Sequence, residues 1–259
     1  MTVALTRHSW YMTLRWMRVT LRQPWFLAIT LVQPVIWLLL FGALFKKVIE
    51  IPGFGGGSYI TFLAPGIVVM TALFSSGWSG MGMIKDLEQG VVDRFLVSPA
   101  QRLPLIIGPL MQAAISLAIQ SLIIVGLALI VGASFPGGVL GVVVLIVLAI
   151  VLGTAMGAFS NGVALLARSE ETLIGAVNFI ILPATFLSSA FMKQSLAPQW
   201  IQDIAKFNPV NWAVQAGREA LGANPDWGYV FERAGLLTAV AALMLWFAVR
   251  AFRSYQRSV

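Results

Sequence analysis

The sequence predicts an all-α integral membrane protein with six transmembrane helices, and three observations predict it. Apolar residues make up 59% of the 259-residue chain and charged residues 10%, against roughly 25% charged in an ordinary globular domain. Such a chain lacks the polar groups to cover a water-facing surface. The apolar residues gather into six runs, each near or above the ~20 helical residues needed to cross a ~30 Å hydrocarbon core. No Asp, Glu, Lys or Arg lies well inside any run, and those are the groups that lipid penalises most.

Residues 1–22 precede the first run. Trp10, Leu14, Met17 and Leu21 recur at helical spacing, while Arg7, Arg15, Arg18 and Arg22 cluster within about 80° of arc. A basic amphipathic helix with Trp on its apolar side lies in the membrane interface; a solvated basic tail is the alternative. The first span is 24–45, closed by Lys46 and Lys47. It is too long for a signal-peptide core and lacks a small-residue cleavage pattern, so it is expected to remain as a span. The glycine-rich stretch from Gly53 to Gly57 has no Lys and reads as a flexible link rather than a phosphate loop.

The second span is 59–83, with Pro65 inside it, the third 105–131, and the fourth 139–166 after an uncharged link. The fifth is 172–192, with Pro183 inside it, and the sixth 234–252. Between the second and third, the segment 84–99 sets Ile84, Leu87, Val91 and Phe95 on one side of a helix. Lys85, Asp86, Gln89 and Asp93 stand opposite, and Pro99 ends it. Its spacing fits an amphipathic helix under the membrane or a solvated loop equally well. The long connector 193–233 carries Trp200, Ile201, Ile204, Val210, Trp212 and Val214 in short apolar stretches, broken by Pro198, Pro209 and Pro225. It is expected to form short helices that dip partly into the outer leaflet.

Lys and Arg divide unevenly between the two sides. Arg7, Arg15, Arg18, Arg22, Lys85, Arg94, Arg102, Arg168, Arg250, Arg253 and Arg257 fall on one, and Lys46, Lys47, Lys193, Lys206, Arg218 and Arg233 on the other. The richer side is expected to be cytoplasmic, with both termini there; only the Lys46–Lys47 pair runs against the rule. A net charge of +7 in such a chain reports contact with anionic headgroups, not nucleic acid.

Catalysis finds little footing. There is no cysteine, and the single histidine, His8, sits among basic residues at the N-terminus. No G-x-x-x-x-G-K-[ST] run and no acidic cluster beside a span is present, so the chain is expected to be no enzyme and to hold no nucleotide or metal. Gln33, Gln112, Gln120, Asn161 and Asn178 are the polar residues within the spans. Two readings stand for them: interhelical hydrogen bonding, or lining of a path for an amphipathic substrate. With no intramembrane charge, an ion-coupled carrier or stand-alone channel is disfavoured, and energy for transport is expected from another subunit.

Two stretches then resemble a known family. Asp86-x-Glu88-x-Gly90-x-x-x-Arg94-x-Leu96-x-x-Pro99 looks like the first cytoplasmic loop of ABC-2 type permeases. Leu187-Ser-Ser-Ala-Phe191, Leu196-Ala-Pro198-x-Trp200-Ile-Gln, Phe207-Asn-Pro-Val-Asn211 and Arg218 look like the late region of the same family. The chain departs from the commonest pattern at Asp86, Gln89 and Met192–Lys193.

The resemblance covers nearly the whole chain, 1–259, as one transmembrane domain, and implies the permease subunit of an ATP-binding cassette exporter in a bacterial cytoplasmic membrane. It implies a dimer, homodimeric or paired, resting on separate ATPase subunits that hold ATP and Mg. Asp86, Glu88, Gly90, Asp93, Arg94 and Pro99 would form the ATPase-coupling helix, and Arg168, Glu170 and Glu171 a second cytoplasmic contact. Pro198, Trp200, Asn208, Pro209 and Asn211 would belong to re-entrant helices forming an outer gate. The path would run along spans one, two and five, with Gln33, Asn178 and Phe186 as lining residues. The late region most resembles drug and lipophilic-compound exporters of the daunorubicin-resistance type; polysaccharide exporters share the fold.

Overall fold

A computed structural model describes residues 24–51, 58–89 and 103–256, with side chains for 30–51, 58–89 and 111–256. The expected interfacial helix 1–22 lies outside the described residues, as do Gly90, Asp93, Arg94 and Pro99 of the expected coupling helix. Every regular element among the described residues is helical. In chain order these are α1 (Pro24–Leu44), a 3-10 turn Lys46–Glu50, α2 (Tyr59–Gly77), α3 (Ser79–Glu88), α4 (Leu103–Ile130), α5 (Gly138–Ala167) and α6 (Glu170–Phe186). A short turn Gln194–Leu196, α7 (Gln199–Ala205), α8 (Pro209–Ala220) and α9 (Trp227–Gln256) complete them.

Among the described residues, four helices are long and apolar enough to cross a membrane: Tyr59–Glu88 (α2 with α3), Met111–Ile130 within α4, α5 and α9. The first and fifth expected spans are helical but shorter by that measure. The apolar stretch of α1 is Thr30–Leu44, and α6 has 17 residues. The expectation carried the fifth span to residue 192, but α6 stops at Phe186. Pro183 sits in its last turn, and the Leu187 N–H bonds back to the Pro183 carbonyl at 2.8 Å.

The helices sort by burial. In the most apolar window of Tyr59–Glu88, 72% of residues are buried inside the protein, against 28% for Trp227–Gln256, so α2 is the central pillar and α9 a peripheral one. Ile36 and Leu40 of α1, Leu122 and Ile130 of α4, Val143 and Val147 of α5, and Leu243 and Trp246 of α9 point outward, as lipid-facing positions do.

Lipid removes most of the hydrophobic drive for helix association, so contact relies on close packing and on small residues that let backbones approach. Gly153 and Gly157 of α5 supply such a face, and a Cβ on Gly153 would stand 2.8 Å from the Ser76 hydroxyl. At Gly80 of α3 the obstacle is backbone, its missing Cβ falling 2.6 Å from the Ser160 carbonyl oxygen.

Between α2 and α3 the helix breaks at Trp78, whose φ of −87° and ψ of 0° lie in the sparsely used bridge region. The second span was expected over 59–83, with Pro65 and several glycines and serines inside it. One hydroxyl from α5 repairs the break: Ser160 Oγ donates to the Gly77 carbonyl and accepts the Gly80 N–H at 3.0 Å. Sequence alone gave no warning, because Gly and Ser inside an apolar run are equally compatible with an unbroken span.

Candidate functional site

Three features could carry function: a cleft beside α1, a polar cap at one end of the bundle, and a charged arm at the other. The cleft lies between α1 and the lower half of α2, has a volume of about 210 Å³, and is lined by residues of both helices and of the break. Trp37, Phe74 and Trp78 give it aromatic walls, and Gln33, Thr71 and Ser75 its polar points. No lining residue is ionisable. The Gln33 amide, the Ser75 hydroxyl and both indole N–H groups make no hydrogen bond among the described residues. A closed drug-sized pocket measures roughly 300–1,000 Å³; this cleft is smaller, and suits part of a ligand or one half of a shared site.

Gln33 thus lies in a cleft, whereas Asn178 and Phe186 stand on α6, outside its lining. Phe186 is 61% exposed. A chain of rings connects the two places: Phe186 stacks on Phe191 at 6.1 Å, and Phe191 meets Trp37 at 5.5 Å. Of the other polar residues within the spans, the Gln112 amide donates to Ser116 within its own helix at 3.1 Å. Gln120 is buried, and its Oε1 has no hydrogen-bond partner among the described residues. Asn161 lines a cavity of about 20 Å³ beside Ser76 and Thr154.

The cap is built by α7 and α8 on the end of α6. A helix leaves its last four carbonyls without intrahelical partners, and Asn208 fills that need for α6. Its Nδ2 donates to the Ala184 carbonyl at 2.7 Å and to Leu187 at 3.2 Å, while its Oδ1 accepts the Val210 N–H and starts α8. Pro209 follows at the first helical position, where its missing N–H costs nothing. Asn211, 1% exposed, accepts the Ser189 N–H at 3.0 Å and donates to the Ala205 carbonyl at 2.9 Å. Pro198 caps the start of α7, and Trp200 on α7 is 59% exposed. The connector 193–233 was expected to form short helices, and α7 and α8 are such helices; one face of α8 (Val210, Ala213, Val214, Gly217) is buried against protein.

Arg218 on α8 was expected to be an ordinary outward cation. It lies instead against α2: its Nε donates to the Phe62 carbonyl and its Nη2 to the Ala190 carbonyl, both at 3.0 Å, and its guanidinium stacks 3.5 Å from the Phe62 ring centre. Burial pulls its pKa down to about 9, so it remains a cation at neutral pH. Its sequence signal was its place in the family-like late region.

At the far end of the bundle, α3 carries Asp86 half-buried and Glu88 exposed. Its apolar side, Met83 and Leu87, packs on a small cluster of Leu165 from α5 and Ala251, Phe252 and Tyr255 from α9. The α5–α6 turn meets the same cluster, for the Arg168 guanidinium lies 4.8 Å from the Tyr255 ring centre. Arg168 adopts φ 53° and closes α5. Ser169 caps α6 by accepting the Thr172 N–H, and Glu170 and Glu171 occupy its first turn, where a helix N-terminus favours negative charge. The described parts of both expected cytoplasmic contacts therefore meet on one end of the bundle, opposite the cap.

A model of the ABC-2 type transporter family matches residues 7–221. Daunorubicin resistance ABC transporter permease protein DrrB1 of Streptomyces coeruleorubidus is 28% identical over 86% of this chain and 77% of its own length. Transport permease ycf38 of Porphyra purpurea is 30% identical over 80% of this chain and 71% of its own. Doxorubicin resistance ABC transporter permease protein DrrC of Mycobacterium tuberculosis is 23% identical over 82% and 77%.

Proposed function

The chain belongs to the ABC-2 type transporter family, and from that premise we propose that it is the permease subunit of an exporter that moves a lipophilic or amphipathic compound, powered by a separate ATPase subunit. It works as a homodimer or paired with a second permease. ATP and Mg are held by the ATPase, and this chain supplies the path. Six spans cross a bacterial cytoplasmic membrane, α1 and α6 among them, with both termini in the cytoplasm and the cap outside.

The observation that carries this reading is that α3, which bears Asp86 and Glu88, and Arg168 of the α5–α6 turn, which is followed by Glu170 and Glu171, meet the same cluster on the end opposite the cap. It offers one charged face for an ATPase to push. The aromatic, uncharged lining of the cleft beside α1 supports a greasy cargo over a heavily hydroxylated glycan, which would leave many polar groups unpaired there.

Two measurements test the reading. The purified chain should hydrolyse no ATP alone and should co-purify with an ATPase bearing a phosphate-binding loop. Reversing charge at Asp86, Glu88 and Asp93 together should leave the helices folded by circular dichroism while ATP hydrolysis no longer drives export. Undiminished coupled export in that variant would remove Asp86, Glu88 and Asp93 from the coupling role.

A further inference from the structure

We propose that the end of the C-terminal helix α9 is a third element of the coupling machinery, with Phe252 and Tyr255 positioning the α3 arm so that its displacement is delivered to α5 and α9 together. The inference rests on the permease reading and goes beyond it, since that reading gives the C-terminal helix no part.

The argument begins at the break. An uninterrupted helix would pass any push on Asp86 or Glu88 straight up into α2. At Trp78 the helical ladder is interrupted, and α3 is fastened sideways instead. Its first turn is held to α5 through Gly80 and Ser160. Its last turn is held through Met83 and Leu87 to Leu165, Ala251, Phe252 and Tyr255.

The buried residues Leu165, Ala251, Phe252 and Tyr255 form a small cluster of their own, which Met83 bridges to the main core. The residues beside it are water-facing in character: Lys85, Glu88, Arg168, Arg250 and Arg253 are all exposed. There the hydrophobic effect works at full strength, unlike between helices in lipid. Phe252 and Tyr255 are 6% and 7% exposed. The Arg168 guanidinium over the Tyr255 ring adds the second expected contact segment to the same joint. One cluster, with Tyr255 in it, therefore meets the two routes by which an ATPase would act.

The test uses the intact complex in vesicles, with doxorubicin fluorescence as the export probe. Tyr255→Ala is expected to keep ATP hydrolysis within about twofold of the parent while export falls about tenfold, the size of a typical coupling free energy. Tyr255→Phe keeps the ring and should restore export. A merely structural role would lower both rates together through loss of assembled complex.

The chain's lack of cysteine permits a second arm that needs no cargo. In the Leu87→Cys, Phe252→Cys variant, crosslinking by a short bifunctional maleimide should proceed equally in the nucleotide-free and vanadate-trapped complexes, since the arm and α9 move as one. A tenfold loss of crosslink on trapping would overturn the inference, as would parental export by Tyr255→Ala. If no ATPase co-purifies with the parent chain, the permease reading fails instead, and the two failures are told apart.

Discussion

Single residues at the cap show how neutral groups can do what charges do elsewhere. Asn211 holds the Ser189 N–H and the Ala205 carbonyl in a site almost closed to solvent. Truncation would orphan both, and each buried orphan costs about 1–3 kcal/mol. Asn211→Ala is therefore expected to lower the midpoint of thermal unfolding in detergent, and more than Asn224→Ala at an exposed loop position; equal midpoints would deny the clasp its role. Arg218 offers a sharper contrast. Its planar fork reaches two carbonyls while stacking on Phe62, a geometry an ammonium cannot copy. Arg218→Lys should destabilise nearly as much as Arg218→Met, although the first keeps the charge. Neither role was legible in the sequence, where Asn208, Asn211 and Arg218 stood out only as parts of a family-like stretch. Apart from the Val210 N–H beside Asn208, the backbone groups they bond lie 6 to 156 residues away, and sequence says nothing of which carbonyls folding will bring near.

Whole elements were easier to foresee, for a physical reason: a membrane crossing is written in one long run of similar residues. The bodies of α4 and α5 fall within three residues of expectation. What failed was whatever depended on a neighbour. The junction at Trp78 is bridged by Ser160 of α5, which bonds to both of its sides, and the buried face of α8 packs on α5 and α9. At the junction, Ser160→Ala removes two hydrogen bonds, worth about 0.6 kcal/mol each by membrane double-mutant cycles. Gly80→Val instead drives a side chain into the Ser160 backbone, an overpacking that costs about 1–3 kcal/mol. The glycine variant should accordingly lose more folded protein, read by size-exclusion chromatography after mild heating. The reverse order would mean that the hydroxyl, not the close approach, holds the joint.

At the scale of the molecule the chain is a bundle with two unlike ends, an uncharged interior and a cleft at its side. The proposed orientation predicts that an impermeant maleimide added to intact cells labels Ala223→Cys near the cap and leaves Ser254→Cys beside the arm unlabelled, until the membrane is opened. Labelling of Ser254→Cys from outside would invert the whole assignment. The cap has one more consequence. The bonds described for it run between amides, a guanidinium and backbone carbonyls, with no carboxylate to protonate. Counterions weaken exposed pairs such as Lys206–Asp203 but have little hold on buried amides. If the cap faces outward as proposed, high salt and mild acid should leave these bonds equally firm.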